Sequence, residues 1–187
     1  MTRSPGRPRT ISPGAVSLVA LRLFDERGFD AVSMDDIARE ADVSRRSLFR
    51  LFPSKQSLVW GGLDEFVARF RAALRVDGAD ALTALRSAYV TASVFPDDQI
   101  EVTRRRLRVI HATPALDLRA DPRLTALTDE IHRFLASQDP EGGELAAVVR
   151  AHALAAVASS ALTWWAEHDD GRPEDVLARA FAVGGTV

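Results

Sequence analysis

Cysteine is absent from the chain, and with it go disulfide bridges, thiolate metal sites and thiol nucleophiles. Lysine is nearly absent: Lys55 is the one lysine among 24 basic residues. There is no Gly-x-Gly-x-x-Gly, no Walker sequence and no Gly-x-Ser-x-Gly elbow, so an enzymatic mechanism has no residues to stand on. The histidines, His111, His132, His152 and His168, are too scattered for metal spacing and form no His-x-x-x-His pair. No metal or cofactor is expected. Long apolar runs are missing too. The greasiest region, Leu145 to Ala166, is interrupted by Arg150, His152, Ser159, Ser160 and Thr163, and reads as a buried helix rather than a membrane span. No apolar stretch of signal-peptide type follows the charged N-terminus. A cytoplasmic protein without a membrane partner is expected. β-branched residues never alternate over the length of a strand, which argues against a sheet.

What is present is an uneven charge and a helical period. The net charge of −2 argues by itself against a polyanionic partner. Its distribution says otherwise: residues 1–60 hold ten basic and seven acidic side chains, a net of +3, and the remainder is acidic. A basic N-terminal third on an acidic body suits contact with nucleic acid. Apolar residues recur at spacings of three and four throughout, predicting an all-α chain of about nine helices. The first runs over 13–27, with Ser12 as N-cap, Pro13 at the first position and Gly28 as the stop. The second covers 34–41 behind a Ser33/Asp36 capping box. The third covers 45–51 behind Ser44 and ends against Pro53. A long fourth helix is expected from Ser54 to about Arg75, with Val59, Leu63, Phe66, Phe70 and Leu74 on one stripe. Five more fall near 80–94, 97–111, 122–137, 144–168 and 173–183, set off by glycine and proline.

Residues 33–55, SMDDIAREADVSRRSLFRLFPSK, carry the function. A short helix, a turn at Asp42-Val43 and a second capped helix make a helix-turn-helix. Ile37, Ala38, Ala41 and Val43 allow a close crossing, and Leu48 and Phe52 hold the second helix on that platform. Arg45, Arg46, Ser47 and Arg50 are its outward positions. A helix in the major groove presents its N-terminal residues to base edges, and arginine bonds guanine bidentately. Ser44, at the helix start, belongs with this set. Lys55, at the start of the following helix, suits a phosphate contact. Arg7 and Arg9, in a basic arm over residues 1–11, are either a minor-groove arm or a merely basic tail.

The pattern of Ser33, Ile37-Ala38, Ala41-Asp42-Val43-Ser44, Leu48-Phe49, Phe52 and Lys55 resembles the TetR family of transcriptional regulators, with Asp42 where glycine is usual and Phe49 where tyrosine is usual. Aspartate tolerates such a turn better than most residues; Phe49 lacks a hydroxyl and is left a packing or sugar contact. The resemblance implies phosphate contacts for Ser33, Ser47 and Lys55, and base reading for Arg45, Arg46 and Arg50. Phe49 to Lys55, Val59-Trp60-Gly61, Arg106 to Ile110 and Thr113 to Leu116 further resemble actinobacterial regulators of the mycofactocin type within that family.

The resemblance also implies how the chain is divided: a helix-turn-helix domain over 12–55, joined by a long helix to an effector-binding and dimerisation body over 56–187. The expected partners are double-stranded operator DNA, a second copy of the chain and a small effector. An apolar effector site is expected among Phe66, Phe70, Tyr89, Leu107, Ile110, His111, Phe134, His152 and Trp164. A long-chain acyl thioester would suit that lining, its head group meeting Arg104, Arg105 or Arg108; a solvated arginine face paired with acids is the other reading of that cluster. The small face Ala151, Ala155, Ala158, Ser159 and Leu162 marks the expected dimer interface, unless the helix is buried inside its own subunit. The mechanism expected is repression by operator occupancy, relieved by the effector. The rival reading is a helical ligand-binding or scaffolding protein whose N-terminal motif is accidental.

Overall fold

The computed structural model describes residues 12–75, 80–117, 121–168 and 171–183. Arg7 and Arg9 of the basic arm lie outside them. The described residues form ten α-helices and one 3₁₀ turn, with no strand. They divide into two compact units, one ending at Val59 and one beginning at Trp60.

The first unit holds α1 (Pro13–Arg27), α2 (Met34–Glu40), α3 (Arg45–Leu51) and α4 (Lys55–Val59). Ser12 caps α1 by accepting from the Ala15 amide at 3.4 Å, and Gly28, at φ 85°, ends it. Val16, Ala20, Leu23 and Phe24 face inward as their spacing predicts. Ile37 of α2, Leu48 of α3 and Leu58 of α4 have no exposed surface, and α1 packs on α2 and α4 and α2 on α3. Phe24 and Phe29 pack with ring centroids 4.9 Å apart. Helices this short do not persist alone in water, so this shared apolar centre is what keeps them helical.

The second unit holds α5 (Leu63–Ala73), α6 (Ala81–Ala92), α7 (Asp97–Ala112), the 3₁₀ turn Pro114–Leu116, α8 (Pro122–Gln138), α9 (Glu144–His168) and α10 (Pro173–Val183). Its core gathers Phe70, Leu85, Ile131, Ala151, Trp165 and Leu177, all at most 1% exposed. Trp165 donates its Nε1–H to the Gly171 carbonyl at 2.9 Å, so its one polar atom is satisfied where the ring is buried.

The long helix expected from Ser54 to Arg75 is two helices. Gly62 lies at φ 86°, in the left-handed region, and starts α5 by accepting the Phe66 amide at 3.0 Å. Val59 and Leu63 therefore do not share one helical stripe. The Gly61-Gly62 pair is the physical reason: it carries no Cβ where the chain must leave the right-handed region. The same break makes ten helices out of the expected nine. Replacing Gly62 by alanine puts a side chain on that conformation. We expect Gly62→Ala to cost about 1 kcal/mol and to lower the thermal midpoint by a few degrees in a circular-dichroism melt. Gly14→Ala, inside α1, should leave it level or slightly raised.

Candidate nucleic-acid interface

Two serines set the start of the two helices. Ser33 Oγ accepts the Asp36 amide at 3.1 Å, and the Asp36 carboxylate accepts the Ser33 amide at 3.0 Å and its hydroxyl at 2.5 Å. These bonds from Ser33 hold the Asp36 carboxyl below the ordinary aspartate range. Ser44 Oγ accepts the Ser47 amide at 3.1 Å and donates its hydroxyl to Ser47 Oγ at 2.9 Å. Between the helices the turn closes through the Val43 amide on the Ala38 carbonyl at 3.0 Å. Asp42 takes φ 52° there, the only non-glycine residue at positive φ among those described; this is the conformation its place in the motif implies. Arg22 on α1 bonds Glu40 on α2 at 2.5 Å and fixes the platform from outside.

α3 shows one side inward and one side out. Leu48 has no exposed surface and Phe52 is buried, leaving Arg45, Arg46, Phe49 and Arg50 exposed along the other side. Arg45 Nη1 lies 3.2 Å from Asp35 Oδ2, and its guanidinium sits 5.5 Å from the Phe49 ring centroid. Arg46 and Arg50 make no hydrogen bond or ion pair among the described residues. The surface assembled here is a short row of guanidinium groups at the exposed side of a capped helix. Such groups match guanine edges and phosphate oxygens alike.

Lys55 has partners within the fold that its pattern did not imply. Its Nζ donates to the Phe29 carbonyl at 2.7 Å and the Val32 carbonyl at 3.0 Å, and lies 4.3 Å from the Phe29 ring centroid. The ammonium thus closes the α1–α2 connection from the start of α4, across more than twenty residues of chain. Removing it leaves two part-buried carbonyls without their donor. We expect Lys55→Met to lower the stability of the DNA-free protein by about 1–3 kcal/mol, read from a urea titration. A lysine that met only phosphate would leave that titration unchanged.

In the second unit the expected effector residues divide between the core and the surface. Phe70, Tyr89 and Ile110 are buried, and Phe66, Leu107 and Phe134 are partly buried against the same core. Tyr89 touches both Phe70, at 4.7 Å between centroids, and Phe181, at 5.8 Å, so rings fill the space between α5, α6 and α10. Burial pushes the Tyr89 hydroxyl well above its ordinary range. His111, His152 and Trp164 face outward, contrary to the expectation. His111 Nε2 meets Glu167 at 3.3 Å, His152 Nδ1 meets the Val148 carbonyl at 2.9 Å, and Trp164 stacks on His168 at 4.5 Å. Among the arginines offered for a head group, Arg105 bonds Glu101 at 2.9 Å and Arg108 lies 3.8 Å from the same carboxylate. Arg104 instead is 6% exposed and stands over the Trp165 ring at 4.6 Å. Its burial was not legible from the run Arg104-Arg105-Arg106, which looks like one solvated face.

The small-residue face of α9 is also spent internally. Ala151 and Ala158 are buried in their own subunit, and Ala155, Ser159 and Leu162 are partly buried, where α9 packs on α7, α8 and α10. The exposed side of α9 carries larger groups: Leu145 is 77%, Val149 53% and Trp164 42% exposed, with His152, Ala156 and Ser160 between them. By length and composition alone α9 could cross a membrane; in the fold it is a core helix with one bare side. Among the described residues no group of three potential metal ligands occurs.

A capped pair of short helices with a closed turn and an arginine-bearing outer side defines a helix-turn-helix DNA-binding protein. Residues 18–59 match the bacterial regulatory proteins of the tetR family, and residues 79–184 match the MftR C-terminal domain. The chain is 33% identical, over 96% of its length and 92% of the relative's, to the protein named mycofactocin biosynthesis transcriptional regulator MftR in Mycobacterium tuberculosis. It is 28% identical to the HTH-type transcriptional activator FasR of Mycolicibacterium smegmatis, over 96% of this chain and 81% of that one. The fold is that of the ketosteroid transcriptional regulator KstR2 of Mycobacterium tuberculosis, with a TM-score of 0.61 at 23% identity over 98% of both chains. The chain belongs to the TetR family of bacterial transcriptional regulators and carries a C-terminal domain of the MftR type.

Proposed function

We propose that this regulator is a repressor that occupies a pseudo-palindromic operator as a dimer and is released by a small apolar effector. The observation that carries the DNA-binding part is α3 itself, a capped helix anchored by Leu48 with Arg45, Arg46 and Arg50 outside. A base contact reads identity, whereas a phosphate contact does not. Arg50→Ala should therefore lower affinity for the preferred site by about 1–3 kcal/mol and relax the choice of base at particular positions. A gel-shift comparison of promoter DNA with scrambled competitor checks it; an affinity ratio left unchanged by the substitution removes Arg50 from the base readers.

The dimer part rests on the bare side of α9. An uncovered row of Leu145, Val149 and Trp164 is more apolar surface than a lone helix face normally leaves in water. A second copy of the same face would cover it by two-fold symmetry. The interface proposed is thus the row through Val149, Ala156 and Trp164, not the buried Ala151 and Ala158 of the sequence-based expectation. We expect Val149→Glu to give helical monomers that lose operator binding, with the wild type dimeric by light scattering at micromolar concentration. A monomeric wild type contradicts this part.

The effector part rests on the aromatic and apolar core of the second unit. A long apolar chain suits that lining, so long-chain acyl thioesters are the class to titrate against the DNA complex. Release follows only as far as the ligand favours the DNA-free state. Function in the cytoplasm accords with this role.

A further inference from the structure

Three groups from two helices meet at the start of α3. Arg45, the first residue of the helix, is held by Asp35 of α2 through one nitrogen, at 3.2 Å, and rests over the Phe49 ring. The arginine side chain remains 68% exposed and the carboxylate 54%. At that exposure the ion pair adds little to the stability of the fold, because water and salt screen it. Its consequence is geometric. A guanidinium is a planar fork with five N–H groups. Asp35 accepts from Nη1, and the ring below limits the tilt of the plane, while the rest of the fork stays open to solvent. An arginine restrained in this way loses less side-chain freedom on binding than an unrestrained one. Arg46 and Arg50, exposed and without such contacts among the described residues, have no comparable restraint.

We infer that Asp35 is a positioning residue for sequence reading: with Phe49 it holds Arg45 ready to bond a guanine edge. The carboxylate serves a second purpose at the same place. Facing a polyanion, it disfavours indiscriminate contact of this helix end with phosphate, so it trades total affinity for discrimination. The inference rests on the DNA-binding reading above and names the arginine and the acid that set its specificity.

The test uses the full-length protein and a random pool of double-stranded DNA. The wild type selects its preferred duplexes, and the best of these and its scrambled counterpart are then titrated at one salt concentration. Asp35→Ala, Asp35→Asn, Arg45→Lys and the double variant Asp35→Ala/Arg45→Lys are compared, with circular dichroism showing equal helicity. Asp35→Ala should lower the ratio of selected to scrambled affinity by roughly tenfold while tightening binding to the scrambled duplex. Asp35→Asn, which keeps the size of the side chain, should move both quantities the same way. Reselection with either variant should lose a guanine preference in each half-site, and in the Arg45→Lys background Asp35→Ala should change the ratio no further. An unchanged ratio, with both duplexes bound more tightly alike, overturns the inference and leaves Asp35 a surface charge. A wild type that enriches no sequence overturns the DNA-reading proposal as well, and is told apart from the first failure by the selection step alone.

Discussion

A helix of seven residues makes too few internal hydrogen bonds to survive by itself, and the surface proposed to read DNA is one such helix. α3 exists because Ser44 satisfies its first turn and because Leu48 is driven into a centre shared with Ile37 and Leu58. Everything outward on it, Arg45, Arg46, Phe49 and Arg50, takes its direction from those two anchors. The neighbouring pieces serve the same end. The Ser33–Asp36 capping box starts α2, the positive φ at Asp42 turns the chain between the helices, and Lys55 gathers the carbonyls of Phe29 and Val32 beneath them. Rigidity obtained this way matters for recognition, since base readout depends on side chains that arrive already aimed.

The second unit is governed by how one long helix divides its surface. α9 has apolar or small groups nearly all round, so it can be packed on one side and still present Leu145, Val149 and Trp164 on the other. The inward side takes the alanines, which allow α7, α8 and α10 to approach closely, and the larger Trp165 fills the place beneath Arg104. A buried guanidinium stacked on an indole keeps its charge favourably placed against the ring face. In this unit the core and the proposed interface are opposite sides of the same element.

Much of the first unit was legible in the sequence because its signals are local. Ser12, Ser33 and Ser44 each precede a helical period by one residue, and each caps the helix expected of it. Asp42 stands at the expected turn in the place where glycine is usual, and the structure gives it a positive φ. The structural partners of Lys55 were not legible for the opposite reason: they lie 26 and 23 residues away, and nothing in the local pattern names them. The helix through Gly61-Gly62 was carried across its break because the apolar stripe kept its period on both sides while the glycine pair was passed over. On α9 the small residues face partly inward in their own subunit, and periodicity alone cannot say which helix contact is internal. The exposure of His111, His152 and Trp164 was hidden by the same limit: an amphipathic position is defined relative to a neighbour the sequence does not show.

The central claim is that α3 reads specific DNA as one of a symmetric pair, and hydroxyl-radical footprinting on a selected duplex tests it most directly. The account predicts two protected segments on one face of the duplex, their centres about 34–36 Å apart or a multiple of that spacing, each with methylation interference at a guanine in the major groove. Uniform protection independent of sequence, or a single protected segment without a symmetry mate, would contradict it.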